Sequence, residues 1–141
     1  MPADGYEKYE QDCAKIKEEN AKLLADFRQW LAEKGLVGKT LESHTHNMDF
    51  YINTFLLYEE AIPAKAGAGH VSMFLGDWFP RKAMWASRSS IKQNAASLKK
   101  FYSFMREKGE IDLGALEDMK QVIEADMDEW LEGVDGQSKG T

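Results

Sequence analysis

The sequence holds one cysteine, Cys13, and three prolines among 141 residues. A single thiol excludes an internal disulfide and a Cys-rich zinc site, and it fits a reducing compartment. On the apolar face of a helix such a residue reads as a small core side chain. Long apolar runs are missing too: none approaches the roughly 20 residues that span a bilayer. The N-terminus MPADGYEKYEQDC is polar and acidic, unlike a secretory signal, so the expected location is cytoplasmic, with no membrane partner. Sustained period-two alternation, internal repeats and low-complexity tracts are absent as well, which leaves little room for a sheet. What remains is 43% hydrophobic, 11% aromatic and 30% charged. That is the composition of a globular chain, long enough for one domain that buries about two thirds of its unfolded surface.

The periodicity is helical throughout. Tyr9, Cys13, Ile16, Asn20, Leu23, Phe27 and Trp30 alternate spacings of four and three, placing one stripe on a first helix that ends near Gly35. Thr40 is the expected N-cap of a second helix, with Leu41, Met48, Ile52 and Phe55 on one face and Phe50 and Leu57 on the other, running to about Glu60. A short third helix is expected around residues 71 to 78, stopping at Phe79-Pro80, followed by a loop over residues 81 to 90. In the fourth, capped by Ser87, Ser89 or Ser90, Ile91, Ala95, Leu98, Tyr102 and Met105 form the apolar face and Gly109 is the stop. Asp112 is placed to cap a fifth, with Leu116, Met119, Ile123, Trp130 and Leu131 turned inward, and GVDGQSKGT reads as a frayed tail. The expected fold is therefore all-α, a compact bundle of four to five helices.

Charge is distributed unevenly along this bundle. Residues 1 to 80 hold 8 basic and 13 acidic side chains, residues 81 to 108 hold 8 and 1, and residues 109 to 141 hold 2 and 10, within a net charge of −6. On the fourth helix Arg88, Lys92, Lys99 and Arg106 fall within about 40° of one another at 100° per residue. Screening over about 8 Å at physiological salt lets such a stripe attract phosphates although the whole chain is anionic. The same stripe is equally open to pairing with the acidic fifth helix, or to standing as a solvated face.

Three phrases carry a family likeness: FRQWLAEKGLVGKTL with NMDFY, then HVSMFLGDWF, then SSIKQNAASLKKFYSFMREKGEI. Residues 24 to 112 resemble the N-terminal core-binding domain of phage-integrase-type tyrosine recombinases. The likeness implies a four-helix, SAM-like domain gripping duplex DNA with the N-terminal parts of its second and fourth helices. The matching positions here are Thr40, Glu42, Ser43 and His46, and Ser89, Ser90, Lys92 and Gln93. Hydroxyls and lysine suit backbone oxygens, Gln suits the N6 and N7 of adenine, and Glu42 does not suit phosphate. The DNA-binding set expected from the stripe and the likeness together is Arg88, Ser89, Ser90, Lys92, Gln93, Lys99, Arg106, Thr40, Ser43 and His46. The family's larger catalytic domain, with its Arg, His-x-x-Arg and nucleophilic Tyr, finds no match after residue 112, so strand cleavage is not expected and the chain reads as a non-enzyme. Residues 1 to 23 extend helix one upstream, residues 113 to 132 form an acidic amphipathic helix, and residues 133 to 141 are the tail. The two extensions either pack as added helices or mediate a homodimer or contact to a catalytic subunit, Asn20 being the kind of seam residue that sets register.

Other chemistry is not built. His44 and His46 diverge on a helix and cannot share a metal, while His46, Asp49 and Asn53 share a polar face. The glycines before His70 match neither a P-loop nor a dinucleotide fingerprint. Adjacent carboxylates such as Glu59-Glu60 and Asp128-Glu129 point apart, which leaves no acid and base around one substrate atom. No catalytic residue, metal or cofactor is expected. Trp30, Trp78 and Trp130 read as core anchors, whereas Trp85 sits in the basic loop beside Arg81 and Lys82 and either covers the core edge or meets a nucleic acid. The contrasting function class is a helical protein-interaction module in which the basic stripe meets an acidic partner.

Overall fold

In the computed structural model, which describes the backbone of residues 2–139 and the side chains of residues 5–136, every regular element is helical and no strand occurs among the described residues. Packing divides the chain into two compact units, Met1–Gly67 and Ala68–Thr141.

The first unit is built on α1 (Pro2–Glu33) and α2 (Gly38–Phe50), which continues through a π-helical turn, Tyr51–Phe55. From the predicted stripe of α1, Ile16, Asn20 and Phe27 are buried, and Leu31 joins them. They meet Leu41, Met48, Tyr51, Ile52, Leu56 and Leu57 from the second half of the unit. Four large residues buried within Tyr51–Leu57 exceed what one stripe of an α-helix can turn inward. The wider π turn absorbs the mismatch, so the α-helix expected to reach about Glu60 ends at Phe50. Tyr51 is buried whole and donates its hydroxyl to the Gly67 carbonyl at 2.7 Å. Thr40 is not the N-cap. Val37, extended at φ −139° and ψ 166°, holds that position, so the helix starts at Gly38 and Thr40 falls in its first turn.

Asn20 is buried and satisfied within its own unit. Its amide donates to the Ile52 carbonyl at 3.1 Å and to Asn53 Oδ1 at 2.8 Å, and Asn53 donates in turn to Asp49 at 2.7 Å. The N-terminal extension of α1 is anchored in the same unit, because Tyr9 donates its hydroxyl to the carbonyl of Leu57.

The second unit begins with α3 (Val71–Met73), a π turn (Phe74–Trp78) and α4 (Phe79–Lys82), joined without a break. The helix was expected to stop at Phe79-Pro80. It passes through Pro80, which stands in the first turn of α4 directly after the π turn. The predicted loop is correspondingly shorter. It separates α4 from α5 (Arg88–Glu107), which a Ser87–Ser90 capping box opens: Ser90 N–H donates to Ser87 Oγ at 3.1 Å, and Ser87 N–H to Ser90 Oγ at 2.8 Å.

All five predicted inward residues of α5 are buried, together with Asn94, Ser97, Phe101 and Phe104, so about half its circumference faces protein. Gly109 ends it with a positive φ of 82°. Asp112 caps α6 (Leu113–Lys139) by accepting from Ala115 N–H at 2.8 Å. The inward residues Leu116, Met119, Ile123, Trp130 and Leu131 are buried, and so is Val134. The frayed tail is corrected as far as Lys139: burial of Val134 extends the apolar face of α6 by another turn, and residues 140 and 141 lie outside the described residues. α6 folds back along α5 and also packs against the segment from α3 to α4.

Candidate nucleic-acid interface

The basic stripe lies on the exposed edge of α5 within the second unit. Arg88, Lys92, Lys99 and Arg106 are all exposed, but their surroundings differ. Arg88 Nη1 donates to Asp135 Oδ2 on α6 at 2.5 Å. It is therefore removed from the open stripe by a carboxylate of the last helix, and the four-cation site expected from sequence becomes three. Among the described residues no ion pair involves Lys92, Lys99 or Arg106. At 1.5 Å per residue these three follow one another at about 10.5 Å and span about 21 Å. Each spacing exceeds the Debye length of about 8 Å, so each cation acts locally.

The row borders a groove between α5 and α6. The groove encloses about 570 Å³, with Lys99, Lys120 and Glu124 as polar lining and Ile123 and Met127 as apolar lining. Lys120 was not singled out from the sequence. Standing alone in an acidic segment, it gave no signal until antiparallel packing of the two helices brought it beside Lys99. Asp135 was invisible for the same reason, because it is 47 residues from Arg88.

The hydroxyl and amide groups near the start of α5 are unequally available. Ser90 is spent on the capping box, and its Oγ lies 3.1 Å from the Ser87 carbonyl and 3.3 Å from that of Trp85. Its hydroxyl is thus already engaged by the protein itself. Ser89 and Gln93 are exposed and bonded to each other, Gln93 Nε2 donating to Ser89 Oγ at 3.0 Å. Both remain at the surface, beside Lys92 and one turn from each other.

Thr40, Ser43 and His46 lie on α2 of the first unit, exposed on the side opposite Leu41 and Met48. Glu42 does not stand open either. It pairs with the Arg28 guanidinium, whose hydrogen bond holds the carboxyl below the usual carboxylate range and raises the arginine. Trp85 rests edge-on against Phe79, ring centroids 6.1 Å apart and planes at 76°, yet keeps 57% of its surface exposed.

No group of three or more His, Cys, Asp or Glu side chains among the described residues is arranged to hold a metal ion. No described helix is long and apolar enough to cross a membrane. No protein family, curated protein or solved structure matches the chain.

Proposed function

We propose that this chain is a non-catalytic binder of duplex DNA, related to the core-binding domain of tyrosine recombinases, and that α5 carries its contact surface. One observation supports this above the others: Lys92, Lys99 and Arg106 form an exposed row that makes no ion pair with any described residue. A row about 21 Å long exceeds the roughly 12 Å width of the major groove. Its ends therefore reach phosphates on the two strands that flank the groove. Gln93 and Ser89, exposed beside Lys92, have the chemistry to meet base edges and sugar-phosphate oxygens respectively.

Three neutralised phosphates set a slope of log K against log salt near about −2.7. Titration of a labelled duplex at several salt concentrations measures it. A Lys92→Glu/Lys99→Glu variant should lose binding while keeping its helical circular dichroism. A slope near zero, or no binding at about 50 mM salt, overturns the reading. Under the contrasting reading of a protein-interaction module, the charge reversal leaves duplex behaviour unchanged and alters self-association in light scattering at two concentrations.

A further inference from the structure

The turn between α4 and α5 carries the wrong residues for a turn. Ala83 N–H bonds to the Phe79 carbonyl at 2.9 Å and ends α4, and Ala86 N–H bonds to the Ala83 carbonyl at 3.1 Å. Met84 and Trp85 are thus the two central residues of a closed turn, positions that Gly, Pro, Asn, Asp and Ser normally occupy. Met84 is 99% exposed and Trp85 57%. Leaving two large apolar side chains in water opposes the hydrophobic effect, and polar residues would close the same turn without that cost.

The turn is also held firmly. Ala83 is buried, Ser90 Oγ lies within 3.3 Å of the Trp85 carbonyl, the Ser87 cap fixes the exit, and Phe79 supports one edge of the indole. Of the cations beside it, Arg81 is paired with Asp77 at 2.9 Å and Arg88 with Asp135 at 2.5 Å, whereas Lys92, which heads the exposed row, forms no ion pair among the described residues. A preformed apolar tip seven residues before the first cation of that row suits an anionic ligand that offers an apolar surface within reach of its charges. A nucleic acid with an exposed base face has that combination.

We propose that the Met84–Trp85 tip is a prong that stacks on an unpaired or unstacked base while Lys92, Lys99 and Arg106 hold the neighbouring phosphates. The inference rests on the duplex-binding reading and adds a structural preference to it. Indole stacks on any base, and a thioether wedges between base steps where pairing is already interrupted, so the preferred ligand is a duplex containing a bulge or gap. An anionic bilayer fits less well. Two residues are far smaller than the apolar face by which an interfacial helix is held, and α6 of the same unit carries an excess of acid.

The test compares a perfect duplex with one carrying a single unpaired adenine, each titrated at the same series of salt concentrations. The wild-type chain should prefer the bulged duplex by roughly 5- to 150-fold, the range of one base–aromatic stack, and its tryptophan emission should be quenched on binding. Trp85→Ala should lose that preference while its affinity for the perfect duplex and its salt slope stay unchanged. Met84→Ser alters only a solvated side chain, folds regardless, and should reduce the preference too. Equal binding of both duplexes with a normal salt slope, or variants indistinguishable from wild type, overturns the prong and leaves duplex binding standing. Failure to bind either duplex at about 50 mM salt removes the reading beneath it. Co-sedimentation with phosphatidylserine vesicles, accompanied by a blue shift and no duplex preference, assigns the tip to lipid and overturns the proposal.

Discussion

Arg88, in the first turn of α5, donates to Asp135 of α6 at 2.5 Å, so the start of the basic row is tied to the end of the acidic helix. The two side chains are about half exposed, at 51% and 40%. Pairs of this kind contribute at most about 1 kcal/mol to stability. Their effect on binding is larger in kind, because the bond decides whether Arg88 meets a phosphate or a carboxylate. Asp135→Asn should release the guanidinium with little change in melting temperature. Duplex affinity should rise at low salt, and the salt slope should steepen from about −2.7 to about −3.6 as a fourth phosphate is neutralised. An unchanged slope would show that Arg88 does not reach the ligand even when free.

Asn20 is a polar residue on the seam of α1, of the kind that sets register between paired helices. Its amide closes a bond to the Ile52 carbonyl beside the π turn and another to Asn53. Asn20→Ala should lower stability by about 1–3 kcal/mol, the cost of leaving a buried acceptor unpaired, and should leave the light-scattering mass unchanged. Urea denaturation measures the first. A shift in mass would return Asn20 to an interface between copies.

Local signals were legible and long-range ones were not. The Gly109 stop and the Asp112 cap each depend on a few adjacent residues and stand where spacing placed them, and the α5 cap, Ser87, is one of the three serines the sequence offered. The α5 face was readable because its apolar residues keep a 3.6 period. Around Tyr51–Phe55 and Phe74–Trp78 the same reasoning lost phase, because a π turn adds a residue that no period anticipates and buries neighbours that an α-helix would point apart. Pro80 looked like a terminator because local sequence does not reveal that it stands in the first turn of α4. The composition of the last residues suggested fraying, but burial of Val134 and the Arg88 bond to Asp135 hold that turn from 40 or more residues away. Within the candidate interface the row itself was legible; which cation is already paired was not.

Gly76 is where the second unit depends on having no side chain. A Cβ built there would lie 2.7 Å from Trp130 Nε1 and 2.8 Å from its Cδ1. The indole belongs to the buried face of α6, only 5% exposed, and has nowhere to retreat. Gly76→Ala, although favourable to helix propensity on an open surface, should destabilise by about 1–3 kcal/mol through overpacking. Thermal unfolding should register the loss, with red-shifted tryptophan emission as Trp130 loosens. Pairing the variant with Trp130→Leu should recover part of the stability, and no recovery would place the strain in the π turn itself.

Tyr102 supplies a pH test of the core. It is wholly buried on α5, and burial raises its phenol well above the ordinary value near 10. The folded chain thus keeps Tyr102 protonated at pH values where the unfolded chain releases that proton. Its contribution is complete below about pH 10 and is lost as pH climbs toward the raised folded value, by about 1.4 kcal/mol for each pH unit beyond 10. Tyr102→Phe removes the ionisation while keeping the ring. Urea midpoints of the two proteins at pH 8 and pH 11 isolate this group, because the remaining tyrosines affect both proteins alike. The wild-type chain should lose about 1.4 kcal/mol more than the variant between those values. Parallel losses would mean that the phenol already titrates in the folded state, and that α5 opens to hydroxide before the chain unfolds.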